Sequence, residues 1–219
     1  MVSGHDVERF IVGIDLSGPA NAANTAVVWF REEHGTLQFA GDVSGASDAD
    51  IASVVAKLGT PVVGLDAPLS YNSGGGFRPA DKSLQREVIQ AGMKPGSVMA
   101  PTFNRMAYLT LRGVVVARLL ETAGSPRNHI VEVHPGAAFA LRGAPMVDVL
   151  ALGQDHASRS SLLKWLRTVG VRGTPDTIAD TSHSTAACGA ALAAWSWRDG
   201  TPKWVWKASP PHHPYDFAC

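Results

Sequence analysis

The sequence has little cysteine and no net charge, and each of these absences argues against a class of protein. Its two cysteines, Cys188 and Cys219, are too few for a disulfide framework or a cysteine-based zinc site. The 19 Lys and Arg residues balance 19 Asp and Glu residues, whereas a protein that binds long nucleic acid only by neutralising phosphates is usually basic. A local basic patch is still compatible with this balance.

Long apolar runs and common nucleotide-binding motifs are also missing. No apolar run approaches the roughly 18 residues of a membrane span, and the polar residues 1–6 lack the apolar core of a signal peptide. We therefore expect no membrane partner and a cytoplasmic location. The glycines at 74–76 are not followed by Gly-Lys-Ser/Thr, so they form no P-loop. A hydrophobic content of 45% over 219 residues is enough for a globular core.

The apolar pattern predicts an α/β fold. Apolar runs separated by turn residues predict five strands, at 10–15, 25–31, 36–43, 61–65 and 128–133. Helical spacing predicts the main helices at 51–58, 79–91, 105–123, 156–169 and 182–197. A meander followed by alternating helices and strands favours one mixed five-stranded sheet, with three antiparallel strands, two parallel strands and helices on both faces.

Acidic residues end two of the predicted strands. Asp15 and Asp66 each follow an apolar strand and precede a chain breaker, and Glu132 nearly repeats the pattern on the fifth strand. Carboxylates that converge on one sheet edge repel each other without a cation, and hard oxygen ligands suit Mg²⁺ or Mn²⁺. Two such ions about 4 Å apart support phosphodiester cleavage. The alternative is that these side chains cap helices or bind turn amides.

His134 and a basic segment are further candidates. His134 follows Glu132 at the same strand end and could position a water or carry a proton, although a lone histidine before proline is more often structural. The segment 78–118 is locally basic, and Arg78, Lys82 and Arg112 are its candidates for binding substrate phosphates. The alternatives are a solvated helix face and a local pair between Arg78 and Asp81.

Several of these motifs together resemble one known family. Gly13-Ile14-Asp15, Gly64-Leu65-Asp66-Ala67-Pro68-Leu69, Arg78 with Asp81, Leu111-Arg112-Gly113 and Glu132-Val133-His134-Pro135 resemble the domain of unknown function 429 family. Its members are described as predicted nucleases of the RNase H-like fold, related in architecture to Holliday-junction resolvases. The resemblance covers roughly residues 9–198.

The resemblance implies a fold and a set of site residues. With the predicted elements, we expect an RNase H-like domain at 9–208, an N-terminal extension at 1–8 and an irregular tail at 209–219. Asp15, Asp66, Glu132 and His134 would be catalytic. Family members carry an acidic residue at the start of the last helix, where this chain has Ser184 or Ala186, so Asp180 or His183 would occupy that position. The implied metal ligands are Asp15, Asp66, Glu132 and Asp180.

Three functions therefore remain open. The first is a Mg²⁺- or Mn²⁺-dependent nuclease, a hydrolase acting on nucleic acid. The second is a catalytically inactive RNase H-like binding or scaffold protein, which the missing last-helix carboxylate and the neutral charge favour. The third is a small-molecule phosphohydrolase or phosphotransfer enzyme that uses the same carboxylate edge.

Overall fold

A computed structural model of the protein describes residues 9–122 and 129–219. These residues contain one eight-stranded mixed sheet in the order β6-β3-β2-β1-β4-β5-β8-β7. The strands are β1 (Phe10–Asp15), β2 (Ala26–Glu33), β3 (Thr36–Ser44), β4 (Val62–Asp66), β5 (His129–Val133), β6 (Val171–Arg172), β7 (Val205–Trp206) and β8 (Phe217–Ala218). Strands β2 and β3 form the antiparallel meander beside β1, while β4 and β5 run parallel to it.

The predicted count of five strands is wrong, although all five predicted strands are present and are neighbours in the sheet. Strand β6 extends the sheet beyond β3, and β8 and β7 extend it beyond β5. Each of these added strands has two residues. The alternation of residues 203–207 predicts a short strand, and β7 confirms it, whereas β6 and β8 are too short for an alternating pattern to be recognised. Residues 209–219, expected to be an irregular tail, therefore return to the sheet through β8. The sheet edges are decided by long-range pairing.

Helices cover both faces of the sheet, as predicted. They are α1 (Asp48–Lys57), α2 (Pro79–Gln90), α3 (Met106–Thr122), α4 (Pro135–Leu141), α5 (Met146–Ala151), α6 (His156–Thr168) and α7 (Ser182–Arg198). On one face, α1 and α3 pack on alternate residues of β1 and β4 such as Ile14 and Leu65. On the other face, α7 packs with α2, α4 and α6 in a second core cluster. The described residues include no helix long and apolar enough to cross a membrane.

Two strand glycines allow α7 to lie directly on the sheet. A Cβ on Gly13 would meet the Ala187 carbonyl oxygen at 2.0 Å, and one on Gly64 would meet the Ala190 carbonyl oxygen at 2.5 Å. Both distances are far below a normal contact, so only glycine permits this approach. The small residues of α7 and these glycines bring the start of α7 against the ends of β1 and β4.

Some predicted boundaries fall where the structure gives no description. The predicted end of the long helix at 123, the predicted start of the fifth strand at 128, and the extension at 1–8 lie outside the described residues. The other main helices begin and end within a few residues of their predicted limits, because each carries a clear signal. Ser47, for example, caps α1 in a capping box with Asp50.

Candidate active site at the carboxyl ends of β1 and β4

Asp15 and Asp66 lie side by side at the ends of neighbouring parallel strands. They are register partners, as are Gly13 and Gly64 two residues earlier. Side chains alternate along a strand, so both carboxyl groups leave the face that carries α7. The predicted convergence of these two aspartates on one sheet edge is what the strand register produces.

The carboxyl groups of Asp15 and Asp66 are close enough to interact directly at these paired strand ends. Two carboxylates this close repel each other, and a proton or a cation relieves the repulsion. Burial, the adjacent Asp15 charge and the more distant Glu132 charge raise the pKa of Asp66 well above its usual range. Asp66 therefore takes up a proton more readily than an ordinary aspartate.

His183 is the last-helix residue that reaches this pair. Its Nδ1 lies 2.6 Å from Asp15 Oδ2, and the hydrogen bond to Asp15 raises the pKa of His183. The His183 side chain is 37% exposed while that of Asp15 is 14% exposed. One imidazole nitrogen is thus fixed by Asp15, and Nε2 is the atom left to exchange a proton with solvent or a ligand.

Asp180, the other candidate for the last-helix position, does not approach Asp15. It lies in a short 3₁₀ helix before α7, its side chain is 65% exposed, and its Oδ1 lies 3.5 Å from Nε2 of His156. Ser184 is buried and its hydroxyl lies 3.2 Å from that of Ser44. Neither residue places a carboxylate beside Asp15 and Asp66.

Glu132 is held in a buried ion network. Glu132 on β5 is the register partner of Leu65 on β4. It is therefore one residue short of the β5 position opposite Asp66, and its side chain leaves the other face of the sheet. Its two oxygens accept hydrogen bonds from Arg78 at 2.5 and 2.9 Å, and the Leu69 amide donates to it at 3.0 Å. With these donors in place, Glu132 is occupied as a structural acceptor.

Arg78 uses its donors within the protein. It bonds Glu132, both oxygens of Asp81, and the hydroxyl and carbonyl of Ser70. The guanidinium is 5% exposed, and the two carboxylates raise its pKa. The pairing with Asp81 that the sequence suggested is present, and a phosphate would have to displace a carboxylate to reach Arg78.

His134 also has both ring nitrogens engaged. Its Nδ1 accepts from the Ala137 amide at the start of α4, and its Nε2 lies 2.8 Å from the Ser97 carbonyl oxygen. This arrangement requires a neutral ring with the proton on Nε2, and burial lowers the pKa of His134. His134 therefore caps α4 and fastens the loop that contains Ser97.

Arg112 and Lys82 lie apart from each other. Arg112 is buried and bonds Asp48, the Ser17 carbonyl oxygen and the Thr25 hydroxyl, so it ties α3 to the turn after β1. Lys82 is exposed on α2. Among the predicted phosphate-binding residues, only Lys82 has a solvent-exposed side chain.

The four predicted metal ligands do not come together as one set. Asp15 and Asp66 are adjacent, Glu132 is bound by Arg78, and Asp180 is elsewhere. Within residues 9–122 and 129–219, no group of three or more His, Cys, Asp or Glu side chains is arranged to hold a metal ion. The two aspartates are the part of the predicted set that is available to a cation.

Sequence reasoning missed Ser70 and the Leu69 amide as parts of the network around Arg78. Both follow the Asp66-Ala67-Pro68 breaker directly, and a loop that leaves a buried strand must satisfy its polar groups locally. Their position directly after the buried strand is the sequence signal that could have identified them. The partners themselves come from α2 and β5, which the local sequence does not reveal.

The fold and site define a mixed α/β protein with a carboxyl pair and a histidine at the carboxyl ends of its central strands. The chain belongs to the DUF429 family, described as protein of unknown function, whose family model matches residues 13–214. Comparisons with curated proteins and with solved structures found no match.

Proposed function

We propose that this protein hydrolyses phosphodiester bonds of nucleic acid with one divalent cation, Mg²⁺ or Mn²⁺, held by Asp15 and Asp66. The observation that carries the proposal is the pairing of these two carboxyl groups at neighbouring strand ends, with His183 bound to the first. Repelling carboxyl groups beside a histidine are typical of a site that binds a cation and moves protons.

The strand order supports an RNase H-like architecture for this proposal. The central strands follow the order β3-β2-β1-β4-β5, with β2 antiparallel and β4 and β5 parallel to β1. This is the arrangement implied by the family resemblance. In such open sheets, ligands bind beyond the carboxyl ends of the strands, which is where Asp15 and Asp66 lie.

The residues present fit one cation and not two. A cation bound between Asp15 and Asp66 would offset the repulsion that contributes to the raised pKa of Asp66. Mg²⁺ commonly binds through one or two carboxylates and keeps several waters. The described residues offer no third free carboxylate at this edge, so a second ion lacks protein ligands. The bound cation would polarise a phosphoryl oxygen.

His183 is the proton donor of the proposed reaction. Asp15 binds Nδ1 of His183 and raises the pKa of the imidazole. A larger fraction of His183 is therefore protonated near neutral pH. Its side chain is partly exposed, and Nε2 can deliver a proton to the leaving oxygen of a substrate. A positioned acid of this kind contributes roughly 10²- to 10⁴-fold in rate.

The proposal is tested by following thermal stability during titration with Mn²⁺ or Mg²⁺. A cation at 100 times its dissociation constant stabilises the folded state by about 2.7 kcal/mol, and Asp15→Asn should lose this gain. Asp176→Asn is the matched control because its carboxylate is 98% exposed and pairs with Arg167 rather than with Asp15 or Asp66. Cleavage of single-stranded, duplex and branched substrates is then measured with the same three proteins.

Two results would contradict the proposal. One is a melting temperature that does not respond to millimolar cation. The other is cleavage that survives Asp15→Asn, which would identify a contaminating nuclease. The second candidate function, a non-cleaving scaffold, is favoured by the lack of a carboxylate at Ser184 and Ala186, the two positions where the family resemblance implies an acidic residue. It predicts nucleic-acid binding without cation-dependent cleavage.

A further inference from the structure

An apolar groove lies beside the proposed active site. One wall is the turn that follows β1 and Asp15, and the other is the start of α3 with the residues just before it. The groove has a volume of about 810 Å³ and is lined in part by Pro19, Ala20, Met99, Phe103, Arg105 and Tyr108. This volume is in the range that holds a ligand the size of one or two nucleotides.

The groove adjoins a cavity that is lined by Asp66. Met99, Met106 and Leu109 line both the groove and this smaller cavity of about 210 Å³. The groove and the carboxyl end of β4 are therefore neighbours on the surface, separated by no more than these shared side chains.

Two aromatic rings are exposed in the groove. Phe103 is 65% exposed and Tyr108 is 63% exposed. The turn that carries Phe103 is held by two hydrogen bonds: the Phe103 amide donates to the Ala100 carbonyl oxygen, and the Thr110 hydroxyl donates to the Pro101 carbonyl oxygen at 2.8 Å. Exposed rings on a rigid turn are suited to stacking, and each stacked base strengthens binding by roughly 5- to 150-fold.

The charge of the groove fits a single phosphate chain. Arg105 is exposed, lines the groove, and makes no ion pair with the described residues. A duplex would require rows of cations along both backbones, and the chain has no net charge. One arginine beside two rings matches a strand whose bases are unpaired, whereas an apolar peptide would make no use of Arg105.

We propose that this groove binds the unpaired bases of single-stranded nucleic acid, with Phe103 and Tyr108 stacking on bases and Arg105 contacting a phosphate. The inference rests on the proposed function, since it names the substrate class of the same site. It directs a phosphodiester group of the bound strand toward Asp15 and Asp66.

The test measures binding without cleavage. Fluorescence anisotropy with the Asp15→Asn protein in EDTA compares a labelled single strand, its duplex, and an abasic strand with the same backbone. The single strand should bind at least fivefold more tightly than either of the others. Phe103→Ala and Tyr108→Ala should each weaken single-strand binding at least fivefold, and Phe103→Trp should retain it. Arg105→Ala should weaken binding and reduce its salt dependence by about one phosphate contact.

Val115→Ala is the matched control. Val115 lies on α3, as Tyr108 does, and is 61% exposed, but it does not line the groove. Equal binding of the intact and abasic strands, or equal loss in Val115→Ala and Phe103→Ala, would overturn the inference. Its failure is distinguishable from failure of the proposed function. Ring-dependent binding without cation-dependent cleavage would support the groove and contradict the proposed nuclease. Cation-dependent cleavage without ring-dependent binding would support the nuclease and contradict the groove.

Discussion

His183 Nδ1 lies 2.6 Å from Asp15 Oδ2, and this contact joins the first turn of α7 to the end of β1 across 168 residues of sequence. Asp15 in turn lies beside Asp66 at the end of the neighbouring strand. The three side chains therefore form one cluster of titratable groups that is open to solvent at His183.

The pH dependence of activity should report His183. Because the protonated imidazole is the proposed acid and Asp15 raises its pKa, we expect the rate to fall as pH rises through that raised value. His183→Gln should lower the rate roughly 10²- to 10⁴-fold and remove this alkaline limb. Rates are measured across pH 5.5–9 on one single-stranded substrate, a range chosen to bracket the usual histidine pKa of about 6.5. His156→Gln is the control, because His156 is an exposed histidine on α6, and an alkaline limb unchanged in His183→Gln would contradict the assignment.

The stability of the folded state should also decrease as pH rises, because of Asp66. The unfolded pKa of an aspartate is about 3.9, and the folded pKa is raised, so the folded state holds the extra proton between these two values. The free energy of unfolding therefore decreases as pH rises from about 4 toward the folded pKa.

Asp66→Asn should remove that slope, because the amide does not ionise. At neutral pH it should also stabilise the folded state, because the amide removes the cost of ionising a buried carboxyl group beside Asp15. Urea unfolding between pH 4 and 8 measures the effect, with Asp176→Asn as the control. A slope that is the same in Asp66→Asn and the wild type would show that Asp66 has no raised pKa.

The buried network around Arg78 should be essential for stability. Glu132→Gln removes the charge that Arg78 binds most closely, and breaking one partner of a buried pair costs about 3–5 kcal/mol. Arg78→Ala should cost a similar amount because it leaves Asp81 and Glu132 buried without their cation. Arg118→Ala is the control, since its pair with Glu121 is on the surface and its side chain is 63% exposed. Chemical denaturation should show little change for Arg118→Ala, and an equally small change for Glu132→Gln would mean that the network is solvated.

Gly13→Ala should move α7 away from the sheet. The added Cβ would lie 2.0 Å from the Ala187 carbonyl oxygen, and overpacking of a core typically costs about 1–3 kcal/mol. We expect a cost at the upper end, because the clash is with backbone. The shift should also lower the pKa of His183 measured by NMR, since α7 carries His183 to Asp15. Gly153→Ala, with nothing within 4 Å of its added Cβ, should change neither quantity.

The sequence predicted much of the central sheet because each strand carries its own pattern. The runs before Asp15 and Asp66 are apolar and end at breakers, and two such strands in parallel place their final residues side by side. The short turns around residues 33–36 predicted the meander in the same way. The short strands β6 and β8 have no comparable pattern, and the alternation at 203–207 indicates β7 but not its place in the sheet, because the pairing of these strands depends on neighbours that are distant in sequence.

Glu132 shows where local pattern was insufficient. Its strand resembles those of Asp15 and Asp66, yet β5 pairs with β4 so that Glu132 is opposite Leu65. A shift of one residue in register moves a side chain to the other face of a sheet. Arg78 and Asp81 lie on α2, and only the folded chain brings them to Glu132.

By itself, the sequence determined the two aspartates at neighbouring strand ends, because strand pattern and chain order are local properties. The tertiary structure alone decided which third group joins them. The close packing of α7 on Gly13 and Gly64 selects His183 and leaves Asp180 in solvent, and this packing depends on contacts between residues that are more than 100 positions apart.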